Sequence, residues 1–295
     1  MVGRVAWGVG SALAAAAPLL LGCSSGEEVP PIDLPLVIDT GEGAEPEETP
    51  APPAYRAEEV TNGGALRGTV RIAGPRPRPE AFEVARQHRI CGHSQPSPVV
   101  TVGPTGTLAD AVVWIDGLDR GRALEPPEEP PTVVQSACRF APHVLAVARG
   151  QRVLFRSEDP IVHNVHARFE DGHTWFDVGH PRPEVSVARL ADRTGVARVV
   201  CDAGHPWELA WVHVFDHPYF AVTGRDGAFE LEGLPAGEHT LRVWHAGWSV
   251  LRFESGRPVP HAPVEALLSI TVVAGQTLEV PVELDGRPPE DAQGS

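Results

Sequence analysis

Beyond Met1 the 295-residue chain holds no methionine, and it holds no lysine anywhere. Without a thioether, any metal chemistry must rest on imidazole, thiolate or carboxylate. All 24 basic side chains are arginines, which we read as genomic base-composition bias rather than mechanism. Convincing helical periodicity is missing beyond the first twenty-odd residues, so the chain cannot build a large α/β catalytic unit. There is no Gly-x-Ser-x-Gly elbow and no phosphate loop. Positive charge is scarce as well: 24 basic residues stand against 39 acidic ones, a net charge of −15. Nucleic acid is excluded as a partner on that ground.

What is present begins with an export-like end. Arg4 supplies a short basic region, and residues 9–21 are small and apolar, too short to span a bilayer as a stable helix. Leu20-Leu21-Gly22-Cys23 resembles a bacterial lipobox. The resemblance implies a signal peptide over 1–22, a diacylated Cys23, and a lipid anchor in the bacterial cell envelope. Several acyl chains, at ~0.8 kcal/mol per buried methylene, make such an anchor nearly permanent. Ser24 after the cysteine favours the outer membrane by the sorting rule of enteric bacteria. Residues 23–60 then read as an acidic, Pro-rich tether. From residue 24 to 60 it carries ten carboxylates and one basic residue, Arg56, too little apolar matter to offset chain entropy. Residues 286–295 read as a flexible tail.

Between tether and tail the pattern is all-β. Runs such as Ala111-Val-Val-Trp-Ile115, Arg152-Val-Leu-Phe155, Trp211-Val-His-Val214 and Leu278-Glu-Val-Pro-Val-Glu-Leu284 alternate with Gly, Pro and Asp turns, as in packed antiparallel sheets. Arginines second in several runs fit outward-facing positions. With Cys23 assigned to lipid, Cys91, Cys138 and Cys201 remain. An odd number in an oxidising compartment suggests one pair and one thiolate with another task.

Two resemblances divide this region. Ala221 to Trp248, with a tight hairpin at Asp226-Gly227 and a turn at Leu234-Pro-Ala-Gly237, resembles the carboxypeptidase regulatory-like domain, a small transthyretin-like sandwich. Ala274-Gly-Gln-Thr-Leu-Glu-Val-Pro-Val-Glu-Leu284 resembles its last strand. Its usual opening motifs also occur, at Gly68-Thr-Val70 and Ala111-Val-Val-Trp-Ile115, but about a hundred residues upstream. The economical account is a discontinuous sandwich, 61–129 with 218–285, carrying an insertion over 130–217. The rival account makes residues 64–217 one extended domain.

The inserted segment resembles a cupredoxin. Phe140 to Val165 matches that family's strand, glycine turn, strand and first-histidine run, and Val199-Val-Cys-Asp-Ala-Gly-His-Pro-Trp207 matches its closing loop. Two Greek-key-type sandwiches are therefore expected. The resemblance implies a mononuclear type 1 copper centre, which needs a soft thiolate and two imidazoles with a weak axial group. His163, Cys201 and His205 fill those positions, and Asn164 is expected to donate its backbone amide to the cysteine sulfur. His166 competes with His163, but residues three apart on a strand face opposite ways. Among the other histidines, His143, His173, His180, His213, His217 and His245 have no ligand-like spacing to Cys201. Where relatives carry methionine after His-Pro-Trp, this chain has Glu208; Leu209 holds the offset that methionine takes in others. Glu208 would stabilise Cu(II) and lower the potential, whereas Leu209 would leave three ligands and raise it. The set Cys201, His205, His163 and Glu208 also suits tetrahedral zinc.

Cys91 and Cys138 form the expected disulfide, pinning the insertion to its host; free thiols, or a second metal site with His93, are the alternative. His205-Pro-Trp-Glu208 also fits a peptidase zinc motif, discounted for lack of a catalytic domain. Cys-x3-Cys and His-Cys-His patterns of binuclear and multicopper sites are absent, so no enzyme activity is expected. The sequence thus points to a lipid-anchored protein that transfers electrons or holds copper, with a redox protein as possible partner. A metal-free surface scaffold or adhesion protein is the alternative.

Overall fold

The computed structural model describes residues 55–287, apart from 79, 98, 184, 249, 255, 256 and 261. Cys23, the signal, most of the tether and nearly all of the tail lie outside the described residues. Among the described residues the regular structure is all β apart from one short helix at His88–Cys91.

Four sheets stack in register with the apolar pattern. A three-stranded sheet runs Ala228–Pro235, Gly63–Ala73, Thr277–Asp285, and a four-stranded sheet runs Phe220–Val222, Val112–Asp116, Gly237–His245, Val264–Val272. Between them lies a core of Leu66, Val70, Val113, Ile115, Leu241, Val243 and neighbours. Alternation builds it: in Thr277–Asp285 only Val280, Val282 and Leu284 are fully buried, the period of a half-covered strand. The turn leading into Ala228–Pro235 needs Gly227. Its φ is +68°, and a Cβ there would stand 2.4 Å from the Val70 carbonyl oxygen, closing the position to other residues.

The second pair of sheets comes wholly from residues 132–215. One runs Ser186–Leu190, Arg152–Ser157, Thr132–Gln135, Phe140–Ala141, and the other Thr174–His180, His163–Phe169, Gly195–Val200, Leu209–Phe215, Val144–Ala148. Val153, Phe155, Val165, Ala167, Val199, Ala210 and Val212 fill the space between them.

The two sandwiches meet face to face. Leu209–Phe215 is buried on both sides, because Ala210, Val212 and Val214 enter the second core while Leu209, Trp211 and Phe215 enter a seam with Val112, Trp114 and Trp244. That parity decides the site below.

The tether was expected to run free to residue 60, yet its end is docked. Arg56–Ala57 pairs in parallel with Arg120–Gly121, and the Tyr55 hydroxyl donates to the Arg122 carbonyl at 2.7 Å. One aromatic ring against the first core offsets the entropy that the acidic composition alone could not.

Candidate metal centre

On His163–Phe169 the residues His163, Val165, Ala167 and Phe169 turn inward, leaving Asn164, His166 and Arg168 outward. His163 is the first inward residue, at the end of the sandwich where the loop 201–208 closes. Cys201 directly follows the strand Gly195–Val200 and Glu208 directly precedes Leu209–Phe215, so one loop delivers three side chains. Glu208 shares the inward parity of Ala210, while Leu209 turns to the seam. The structure thus brings Glu208, and not Leu209, to the histidines.

His163, Cys201, His205 and Glu208 are all buried, with their ligand atoms within 4.8 Å of one another. The Cys201 Sγ lies 3.8 Å from His163 Nδ1 and 3.5 Å from His205 Nδ1. Glu208 Oε1 lies 3.0 Å from His163 Nδ1 and 3.6 Å from His205 Nδ1. A tetrahedral ion with bonds of about 2.0–2.3 Å sets its ligands roughly 3.3–3.8 Å apart, so the four atoms are spaced to share one ion. Glu208 Oε1 is wholly buried, and its cationic neighbour, the His163 ring 3.0 Å away, stands off the geometry of a hydrogen bond; a bound cation would satisfy the atom. Burial works against a charged His163 ring, yet the Cys201 sulfur and the Glu208 carboxylate outweigh it and raise its pKa to about 10. The pocket calls for positive charge. At His205 burial prevails and the pKa is lowered.

Each ligand is held from behind. Asp159 Oδ2 lies 3.0 Å from His163 Nε2, fixing the tautomer that leaves Nδ1 facing the cluster, and the same carboxylate accepts the Ala137 and Cys138 amides at 2.8 Å each. His205 Nε2 donates to Gln87 Oε1 at 2.7 Å. Gln135 Nε2 donates to Glu208 Oε2 at 2.8 Å, and its Oε1 accepts from His180 Nδ1 at 3.1 Å. The Asn164 amide donates to the Cys201 sulfur at 3.5 Å, and the Asn164 side chain accepts the Asp202 amide. His166 instead bonds Asp202 Oδ2 at 2.8 Å on the outer face.

Four supporting residues escaped the sequence reading in these roles. Asp159 stood four residues before His163 and could have been suspected. Gln87 and Gln135 lie 118 and 73 positions from their partners, with no local signal. His180 has no ligand-like spacing to Cys201, yet it sits directly opposite His163 across the sheet, a register that such spacing does not reveal.

Cys91 and Cys138 are joined by a disulfide, and both sulfurs lie within 4.8 Å of a His205 ring nitrogen. The bridge ties the segment bearing Gln87 to the turn at 136–139. Trp207, Phe82 and Phe253 meet in series as tilted ring pairs, and His205 is only 2% exposed.

No protein-family model matches the sequence, and neither does any curated protein. Among solved structures, a purple cupredoxin from Nitrosopumilus maritimus is 19% identical, covering 28% of this chain and 98% of its own at a TM-score of 0.25. An amicyanin from Paracoccus versutus is 15% identical, covering 30% of this chain and 85% of its own at 0.27. A copper-containing nitrite reductase from Thermus scotoductus is 24% identical, covering 33% of this chain and 24% of its own at 0.26. At these TM-scores no residue role passes from them to this chain.

Proposed function

We propose that residues 130–217 are a cupredoxin-like domain holding one copper ion between His163, Cys201, His205 and Glu208, and that the protein shuttles single electrons or holds copper. The observation that carries this reading is the buried four-atom cluster with Glu208 Oε1 left without a hydrogen bond. Copper would supply a one-electron couple. The chain supplies rigidity: Asp159, Gln87, Gln135 and Asn164 hold the four ligand groups before any ion enters, so little must move when the charge changes. The amide on the Cys201 sulfur withdraws charge from the thiolate, and the Glu208 carboxylate adds charge, favouring the divalent ion.

Four buried protein groups would hold the ion, the ligand count of closed rather than catalytic zinc sites. We read the protein as a carrier rather than an enzyme. The first sandwich, 61–129 with 218–285, is read as a carboxypeptidase regulatory-like host. Cys23 is read as a lipid anchor to the bacterial envelope and a redox protein as the partner.

Copper titration of the purified protein is the test. One equivalent of copper with an intense visible thiolate band, abolished in Cys201→Ala, is expected; Glu208→Gln raises the potential and Leu209→Ala leaves the spectrum unchanged. Stoichiometric zinc without copper would make the centre structural. Failure to retain any metal would return the molecule to a metal-free scaffold.

A further inference from the structure

Three arginines converge on the outer face of the metal-bearing sheet. Arg168 and Arg198 are directly opposed across the antiparallel pair of His163–Phe169 and Gly195–Val200. Arg257 reaches them from the hairpin of Val250–Glu254 and Arg257–Pro260, outside the inserted segment. With His166, Val200 and Asp202 they line a cavity of about 170 Å³, far smaller than a drug-sized site. Asp202 is already engaged by His166 and by Arg257, which also approaches the Cys201 carbonyl at 3.4 Å. Among the described residues, neither Arg168 nor Arg198 makes an ion pair or side-chain hydrogen bond.

Like charges directly opposed on a sheet repel, and a folded protein has no structural need to place them so. Arg198 is half-buried; burial and repulsion from Arg257 and Arg168 outweigh the attraction of Glu254 and Asp202, and its pKa is lowered. Asp202 and Glu254 offset part of this charge and Asp177 lies beside Asp202, yet the forked donors of Arg168 and Arg198 are left open. Planar guanidinium groups match oxygens bidentately.

We propose that the cavity binds a small, multiply charged oxyanion, phosphate or sulfate, between Arg168, Arg198 and Arg257. His166 and Asp202 form its wall and link it to the loop that carries Cys201. The site does not depend on the copper reading.

Isothermal titration and thermal unfolding of the metal-free full-length protein test it, with inorganic phosphate and with sulfate, against sodium chloride at matched ionic strength. One saturable site per chain is expected, with a Tm that rises with anion concentration. Arg168→Gln and Arg198→Gln should each weaken binding by about tenfold or more, while both variants stay folded without ligand, since each loses a repelling charge. Cys201→Ala should bind as the parent does, separating this site from the metal centre. Chloride matching the effect of phosphate and sulfate, no saturable heat with either anion, or variants of undiminished affinity would each overturn the proposal.

Discussion

The two sandwiches use the same architecture for different ends. The first core is apolar, aliphatic but for Tyr219, Phe229 and Trp248, and the polar tips of Tyr219 and Trp248 are satisfied: the hydroxyl donates to Gly233 and accepts from Arg122, and the indole donates to the Arg287 carbonyl at 3.3 Å. The second keeps an apolar core of similar make-up but buries Gln135, Asp159, His163, His180, His205 and Glu208 at one end. Buried charge that lacks a partner costs several kcal/mol per ion. A sandwich that needed only stability would be built like the first. The difference marks the second as the working half and the first as the frame, a frame that also sends Gln87 and Arg257 to the working end.

Acid should break the comparison most strongly, because neutral histidines are buried in the seam joining the halves (His213, against Trp244), on the first sandwich (His245, against Trp248) and beside Leu209 (His143). Burial lowers His143 to about 4, and His213 and His245 to about 3; one Nε2 on each ring has no hydrogen-bond partner. In the unfolded chain each titrates near 6.5, so between about pH 6.5 and 3–4 the unfolded state binds more protons, and stability falls as pH falls. Each ring contributes roughly 3–5 kcal/mol to that loss. Asp110 works the other way: burial raises it to about 6, which favours the folded form on acidification by about 3 kcal/mol. Three rings outweigh one carboxyl, so the net loss is on the order of the whole stability of a domain. Denaturation midpoints measured from pH 7 to pH 4 should collapse, and His213→Phe should flatten the slope. A profile that stays level would contradict the buried, neutral state of these three rings.

Removing the disulfide should have the next largest effect. Cys91 and Cys138 are 47 positions apart, and closing a loop of that size restricts the unfolded chain by roughly 4 kcal/mol. Cys91→Ser with Cys138→Ser should lower the urea midpoint accordingly. Because the bridge anchors the segment of Gln87, the variant should also perturb the His205 ring, seen as shifted imidazole resonances in the metal-free protein. His205 resonances identical to those of the bridged protein would mean that Gln87 is held by packing alone.

How far the sequence could be read follows the same division. Strands were legible because period-2 burial leaves its mark on every run. The four clustered side chains were legible because three lie on one loop and the fourth opens a strand. The choice between Glu208 and Leu209 was not, since both offsets fit the loop; it required knowing that a strand begins at Leu209 with two buried faces. Gln87, Gln135 and His180 depend on sheet register and on a segment folding over from outside the insertion, which no local spacing encodes. Nothing in the sequence sets Arg168 and Arg198 apart from other arginines; only the register places them opposite each other.

That register yields the smallest and most discriminating contrast. On the first sandwich Arg67 and Glu230 are directly opposed and ion-paired; on the second the opposed pair is Arg168 and Arg198. Both pairs are at least partly open to water, so screening shrinks each effect. Exposed ion pairs often contribute nothing measurable, and Arg67→Gln should leave the unfolding midpoint unmoved. Arg198→Gln, in buffer free of phosphate and sulfate, should raise stability by about half a kcal/mol, near the middle of the range for cross-strand pairs. Raising the salt concentration should erase that gain, because screening relieves in the parent the same repulsion that the substitution removes. Adding phosphate should reverse its sign, since only the parent then gains the anion's binding energy. A gain that survives high salt would trace instead to packing of the shorter side chain, and opposed charge would not be what distinguishes the two faces.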